Sequence, residues 1–212
     1  MEPTDRNLRA WEEAHRRRAE TRLGPPLPDH VRARLPDLDG RHVLHLECGS
    51  GEGSAELVKL GALVTAIDRS AEAIALAHER EPAAAFVQAD SQELPLEFRR
   101  GRFDVVYADE GTIASISDLD AWAHGIATAL RESGVLLLAD FHPLAACIDA
   151  LGHVRADYLA EPWPVSSIVN GLLRAGLVIR GVEELVETAV GRREARIPDV
   201  LIVVAQKLTT QT

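Results

Sequence analysis

Three alternating glycines, Gly49, Gly51 and Gly53, follow the apolar run Val43-Leu44-His45-Leu46, with Glu47 and Cys48 in between. Glycines where a strand turns into a helix let the backbone approach a ligand closely, and the helix then presents its N-terminal amides. Fifteen residues after Gly53 a second apolar run ends in Ala66-Ile67-Asp68. A carboxylate there is placed to accept a pair of ribose hydroxyls. The plainer alternative is a loop acid favoured by the dipole of the next helix. Strand, glycine turn, helix, strand and acid in this order read as the first βαβ unit of a nucleotide-binding fold. They point to a ligand that contains adenosine.

The spacing narrows the ligand. A dinucleotide fingerprint is G-x-G-x-x-G, whereas here the pattern is G-x-G-x-G and position 54 is serine. Glu47 also puts negative charge beside the loop, which opposes a pyrophosphate and suits an ammonium group. After a third apolar run, Phe86-Val87-Gln88-Ala89-Asp90-Ser91 supplies another acid. Asp90 there could accept from the exocyclic amine of adenine and the Ser91 N–H could meet a ring nitrogen, or the pair could be an ordinary Asx-type turn. Phe103-Asp104-Val105-Val106-Tyr107-Ala108 is a fourth strand in which Asp104 is read as structural. Asp109, Glu110 and Gly111 come at its carboxyl end, where parallel sheets place ligands. Asp140-Phe141-His142-Pro143 follows the fifth strand. His142 is either a general base working near neutral pH or a polar loop histidine fixed by the proline.

The elements that must position these groups alternate. Strands are expected near 42–47, 62–67, 84–88, 103–107 and 134–139, and helices near 53–60, 71–80 and 118–130. Ser70 is the expected N-cap of the second helix, with Glu72 in its first turn. Short apolar strands alternating with helices mean a parallel sheet covered on both faces. The last third changes character. A helix over 165–175 ends at Gly176, and Leu177–Val190 and Ile197–Gln206 then read as an antiparallel pair around Gly191-Arg192-Arg193. A charged helix over 4–20 and a stiff Gly24-Pro25-Pro26-Leu27-Pro28 linker precede all of this.

Composition excludes several classes. With 212 residues and 46% hydrophobic side chains one domain with a full core is expected. No apolar run approaches the roughly 20 residues of a bilayer span. The N-terminus has no apolar signal-peptide core, so a cytoplasmic location is the default expectation. The two cysteines, Cys48 and Cys147, stand in no metal spacing, and no metal is expected. A net charge of −10 argues against a broad nucleic-acid footprint.

Taken together these residues resemble the class I S-adenosylmethionine-dependent methyltransferases, from about Asn7 to Gln206. Leu46-Glu47-Cys48-Gly49-Ser50-Gly51-Glu52-Gly53 is similar to the family's first motif, Asp68 to its ribose acid, and Ala89-Asp90-Ser91 to its adenine motif. Phe103-Asp104-Val105-Val106 resembles the strand beyond. Leu130-Arg131-Glu132-Ser133-Gly134-Val135-Leu136 resembles its helix–turn–strand, with Ser133 where proline or glycine is usual. Asn7-x-x-x-Trp11-x-x-x-x-His15 and Ala139-Asp140-Phe141-His142-Pro143 look like a group of small bacterial members whose substrates are mostly unassigned.

The resemblance implies a Rossmann-like, doubly wound, mostly parallel seven-stranded sheet ending in an antiparallel hairpin, with an N-terminal helix. It implies one methyltransferase domain over 1–212, divided into an N-terminal helix and linker (1–28), a cofactor core (41–140) and a substrate-side segment with the closing hairpin (141–212). The implied cofactor is S-adenosylmethionine and the implied partner a small-molecule methyl acceptor. In this scheme Gly49, Gly51 and Gly53 receive the methionine end, Glu47 orients its ammonium, Asp68 holds the ribose, and Asp90 with Ser91 reads adenine. Trp11 either closes the pocket or docks its helix. His142, Asp109, Glu110, Tyr158 and Trp163 would face the acceptor, although Tyr158 and Trp163 could equally be core aromatics. The rivals are a nicotinamide-dependent oxidoreductase on a related fold and a non-catalytic protein that binds the cofactor or a protein.

Overall fold

The computed structural model describes residues 26–148, 153–154, 156–159, 163–186 and 198–209. The N-terminal helix, Trp11 and the Gly191-Arg192-Arg193 loop lie outside the described residues. The chain packs as two compact units that divide after Ser91. That boundary falls inside the 41–140 segment read in the sequence as one cofactor core.

In the first unit a short helix α1 (Asp29–Arg32) precedes β1 (His42–Leu46), α2 (Glu52–Lys59), β2 (Leu63–Asp68), α3 (Ala71–Arg80) and β3 (Ala85–Gln88). The strand order is β3-β2-β1, all parallel. Four of the five β1 residues are buried, as expected of a parallel strand covered on both faces. Even His45 is inside, its Nδ1 2.8 Å from the hydroxyl of Ser54 on α2. α3 begins where the cap chemistry puts it. The Ser70 hydroxyl accepts from the Ala73 N–H at 3.2 Å, Glu72 lies in the first turn and His78 and Arg80 in the last. Its buried residues are Ala73, Ile74 and Ala77, small enough to bring the helix close.

The second unit runs β4 (Phe103–Ala108), α4 (Thr112–Ser115), α5 (Leu119–Ala129), β5 (Leu130–Phe141), α6 (Pro143–Ala146), α7 (Val165–Arg174), β6 (Leu177–Leu185) and β7 (Val200–Lys207). Its strand order is β4-β5-β7-β6. β4 and β5 are parallel, and β7 is antiparallel to both β5 and β6. The fold is thus the expected seven-stranded, mostly parallel sheet closed by an antiparallel hairpin. α5 and α7 meet through Gly171, where a Cβ would lie 3.0 Å from Cγ of Leu119. Gly176 ends α7 in the left-handed conformation (φ 84°), as its expected capping role requires. Ser133, in the turn where the resemblance expects proline or glycine, adopts φ 63°.

The short helices α1, α4 and α6 were not anticipated, because four residues leave no periodic signature. No helix among the described residues is long and apolar enough to cross a membrane.

Candidate functional site

Each carboxylate singled out in the first unit sits at the carboxyl end of a strand, and each has a distinct partner. Asp68, 1% exposed, receives the Gly49 N–H on Oδ2 at 2.8 Å and the Ser70 N–H on Oδ1 at 2.8 Å. It therefore ties the glycine loop to the start of α3. A carboxylate has about four acceptor sites, so these amide bonds are compatible with a diol on the same group. Gly49 adopts φ 54° and Gly51 φ 82°. The Gly51 N–H donates to the Cys48 carbonyl at 3.0 Å, closing the turn, and Gly53 is buried in the first turn of α2. Arg80, at the end of α3, donates to the Ser50 carbonyl and pairs with Glu52 at 2.7 Å. The loop is thus held from both sides before any ligand arrives.

Glu47 stands at the end of β1 in the left-handed region (φ 51°) and is 5% exposed. A non-glycine residue held there marks a position the surroundings over-determine, a frequent property of ligand sites. Its Oε1 accepts from the Ser91 hydroxyl at 2.6 Å. Burial, with Asp68 adding to it, raises its carboxyl to about 7. Asp90 is half-buried and pairs with Arg69 at 3.5 Å. Ser91 therefore has a task the sequence reading did not give it. Its side chain holds Glu47, across 44 residues of chain, in addition to whatever its backbone offers. The chemistry of this donor set fits S-adenosylmethionine. A buried acid paired with a single hydroxyl would welcome an ammonium, and a second buried acid is of the chemical type that accepts from a diol.

In the second unit Asp109 and Glu110 are half-buried on the turn after β4. Asp140, at the end of β5, fixes that turn. Its Oδ1 accepts from Gly111 N–H at 2.7 Å and from Phe141 N–H at 2.6 Å, and its Oδ2 from Ile113 N–H at 2.6 Å. Burial raises this carboxyl to about 7 against the pull of those amides. Asp140 was read only as part of a motif. The available signal was the one that revealed Asp68, an acid ending an apolar strand.

Gln92 holds the next stretch of the same segment. Its Oε1 accepts from Ser117 N–H at 2.7 Å, the Ser117 hydroxyl at 2.9 Å and Asp118 N–H at 2.8 Å. Gln92→Ala is expected to cost about 1 kcal/mol, since these groups are exposed enough for water to replace the amide. The amides of Ser117 and Asp118 should exchange faster in the variant, as hydrogen-exchange mass spectrometry would read.

The remaining candidates are engaged with protein groups. His142 Nδ1 accepts from Leu144 N–H at 3.1 Å, so the network puts the ring proton on Nε2, which donates to Glu184 Oε1 at 2.7 Å. The imidazole caps α6 and is 2% exposed. A base needs a lone pair directed at its substrate, and here Nδ1 spends its lone pair on the backbone. Tyr158 accepts from Val165 N–H at 3.1 Å, at the start of α7, and Trp163 donates Nε1–H to the Ile116 carbonyl at 2.9 Å. Both pin chain segments. Among the described residues no group of three His, Cys, Asp or Glu side chains is arranged to hold a metal ion.

Comparison with known proteins supplies the class. The profile of a methyltransferase domain matches residues 43–134. The chain is 30% identical to the O-methyltransferase cnsE of Penicillium expansum over 186 residues, 84% of this chain and 66% of that protein. It is 35% identical to the ubiquinone biosynthesis O-methyltransferase of Xanthomonas oryzae pv. oryzae over 148 residues, 67% of this chain and 59% of that protein. The chain therefore spans about half to two thirds of the length of the curated relatives it matches. In fold it superposes on an S-adenosylmethionine-dependent methyltransferase from Mesorhizobium loti with a TM-score of 0.74 at 23% identity, covering 87% of this chain and 99% of the other. The chain belongs to the class I S-adenosylmethionine-dependent methyltransferases, and its cofactor is S-adenosylmethionine. The oxidoreductase rival finds no support in these relatives.

Proposed function

We propose that the protein methylates a hydroxyl of a small-molecule acceptor. The observation that carries this reading is the pair of buried acids at the glycine loop, Glu47 and Asp68, with Asp68 locking the Gly49 amide. The names of the O-methyltransferase relatives favour oxygen as the acceptor atom. When bound, S-adenosylmethionine supplies a methyl group on positively charged sulfur, already activated for in-line displacement.

What the chain's residues must do is hold and orient, which can supply most of the rate. Gly49, Gly51 and Gly53 bring backbone close to the methionine end, and Glu47 pairs with the ammonium. Asp68 accepts from the ribose hydroxyls, and Asp90 and Ser91 sit along the adenine. Tyr158 and Trp163 are assigned to hold chain segments of the second unit. A hydroxyl acceptor must lose a proton, and the carboxylates of Asp109 and Glu110 are the proposed receivers. His142 is assigned to hold the turn after β5.

The test is isothermal titration of the protein with S-adenosylhomocysteine, with NADH as control. Micromolar binding of the adenosyl compound is expected. Asp68→Asn should weaken it by about a hundredfold, because one acceptor pair is lost and an N–H donor is turned toward donors. Binding of NADH without S-adenosylhomocysteine would overturn the reading. An acceptor screen with radiolabelled methyl donor over phenols, catechols and hydroxy acids then separates small-molecule methylation from a purely cofactor-binding role.

A further inference from the structure

Ser50 and Glu52 stand between the three glycines of the loop, and both are held from outside it. Arg80, the last residue of α3, donates from Nη1 to the Ser50 carbonyl across 30 residues of chain. The same Nη1 pairs with Glu52 Oε1 at 2.7 Å, and Glu52 Oε2 accepts from the Ser50 hydroxyl at 2.9 Å. One guanidinium thus closes a ring through a loop peptide and two loop side chains. α3 meets the loop again at Ala77, whose Cβ would lie 2.9 Å from a Cβ on Gly51. Ala77 and Arg80 are three apart and so share a face of the helix.

The loop needs an outside restraint because its own residues hold it poorly. Gly49 and Gly51 both lie at positive φ, 54° and 82°, and glycine gives up more backbone freedom on ordering than any other residue. Asp68 fixes the entry through the Gly49 N–H at 2.8 Å. Arg80 fixes the far side. A peptide is planar, so an arginine that holds the Ser50 carbonyl also directs the Gly51 N–H, which the Cys48 carbonyl receives at 3.0 Å. An exposed ion pair by itself contributes little to stability. The bond to a carbonyl next to a glycine is what gives Arg80 its leverage.

We propose that Arg80 is a positioning residue for the cofactor: it holds the ligand-free loop in the conformation that binds, and thereby sets the affinity for S-adenosylmethionine without touching it. This rests on the cofactor assignment above. A loop that visits the competent conformation only part of the time binds with an affinity reduced by that fraction. The Arg80 and Glu52 side chains are 39% and 26% exposed, so salt screens their attraction, and cofactor affinity inherits a salt dependence through the clamp.

The experiment is titration calorimetry with S-adenosylhomocysteine at about 0.05 and about 0.5 M salt, beside hydrogen-exchange mass spectrometry of the loop in the ligand-free protein. Arg80→Met keeps the apolar stem and loses the donors. It should raise Kd about tenfold and speed exchange of the Gly51 amide by a similar factor, because both report the same opening. Arg80→Lys supplies a point charge in place of a fork and should recover part of the loss. Raising the salt should weaken wild-type binding about threefold and leave Arg80→Met nearly unchanged. Arg174→Met is the control. Its guanidinium bonds Asp120 at 2.6 and 3.0 Å in the second unit, and its loss should move neither readout. Unchanged affinity in Arg80→Met overturns the proposal. So does weaker affinity with unchanged loop exchange, which would mean that the guanidinium meets the ligand itself. Failure of wild type to bind S-adenosylhomocysteine would remove the cofactor assignment and the proposal with it.

Discussion

Replacing Asp140 with alanine is expected to destabilise the protein by about 3 kcal/mol. The change strands the amide N–H groups of Gly111 and Ile113, which reach Asp140 from 29 and 27 residues away at 2.7 and 2.6 Å. A buried donor left without an acceptor costs about 1–3 kcal/mol. One term works the other way. Asp140 is 2% exposed and its carboxyl is raised to about 7, so removing it also relieves a desolvation cost. That relief is small near neutrality, because the group can take up a proton rather than remain a buried charge. The unpaired amides therefore decide the sign. Asp140→Asn restores one oxygen but aims an NH2 group at a neighbouring N–H, so it should fall between wild type and alanine. Urea denaturation at pH 7 orders the three proteins. An alanine variant as stable as wild type would show that Asp140 does not hold the Asp109–Ile113 turn. Because that turn carries Asp109 and Glu110, methyl transfer should fall even in the fraction that stays folded.

Gly51→Ala is expected to cost about 2–5 kcal/mol and to abolish cofactor binding. Two penalties add. The residue sits at φ 82°, where an L side chain costs about 1–2 kcal/mol. The new Cβ would also lie 2.9 Å from Ala77 Cβ, 3.1 Å from Ala77 Cα and 3.3 Å from Phe86 Cζ. Two of these neighbours belong to the backbone and first carbon of α3, which cannot swing aside, and such overpacking costs about 1–3 kcal/mol. Gly176→Ala is the built-in control. It has a similar angle, φ 84°, but a Cβ there meets nothing within 4 Å, so only the backbone term applies. Thermal melts of both variants separate the terms. A Gly51→Ala protein no less stable than Gly176→Ala would mean that α3 can move away from the loop. The glycine's first duty is thus to let α3 pack against the loop, and the ligand benefits from a turn already made tight.

Local signals account for what was readable in the chain. β1 to β5 and α2, α3, α5 and α7 lie where apolar periodicity and caps put them, because a strand's burial and a helix's first turn are decided by neighbours in sequence. Ser70 capping α3 and Gly176 ending α7 are such cases. The ends of β1, β2 and β3 likewise located Glu47, Asp68 and Asp90, since parallel strands present their carboxyl ends together. What those side chains hold was decided by tertiary structure. Ser91 reaches Glu47 across 44 residues and His142 reaches Glu184 across 42. Trp163 reaches Ile116 across 47, and Asp140 gathers a turn nearly 30 residues away. Hydrogen bonds of this range depend on strand register and on which buried donors lack a partner, and neither is written in a local window. For that reason the chain leaves His142 open between a general base and a fixed loop histidine, and Tyr158 and Trp163 between acceptor-facing groups and core aromatics, whereas in the fold each has polar atoms on protein. Asp140 went unassigned for the same reason. Its value lies in three amides, two of them far along the chain, that only the folded sheet brings to it.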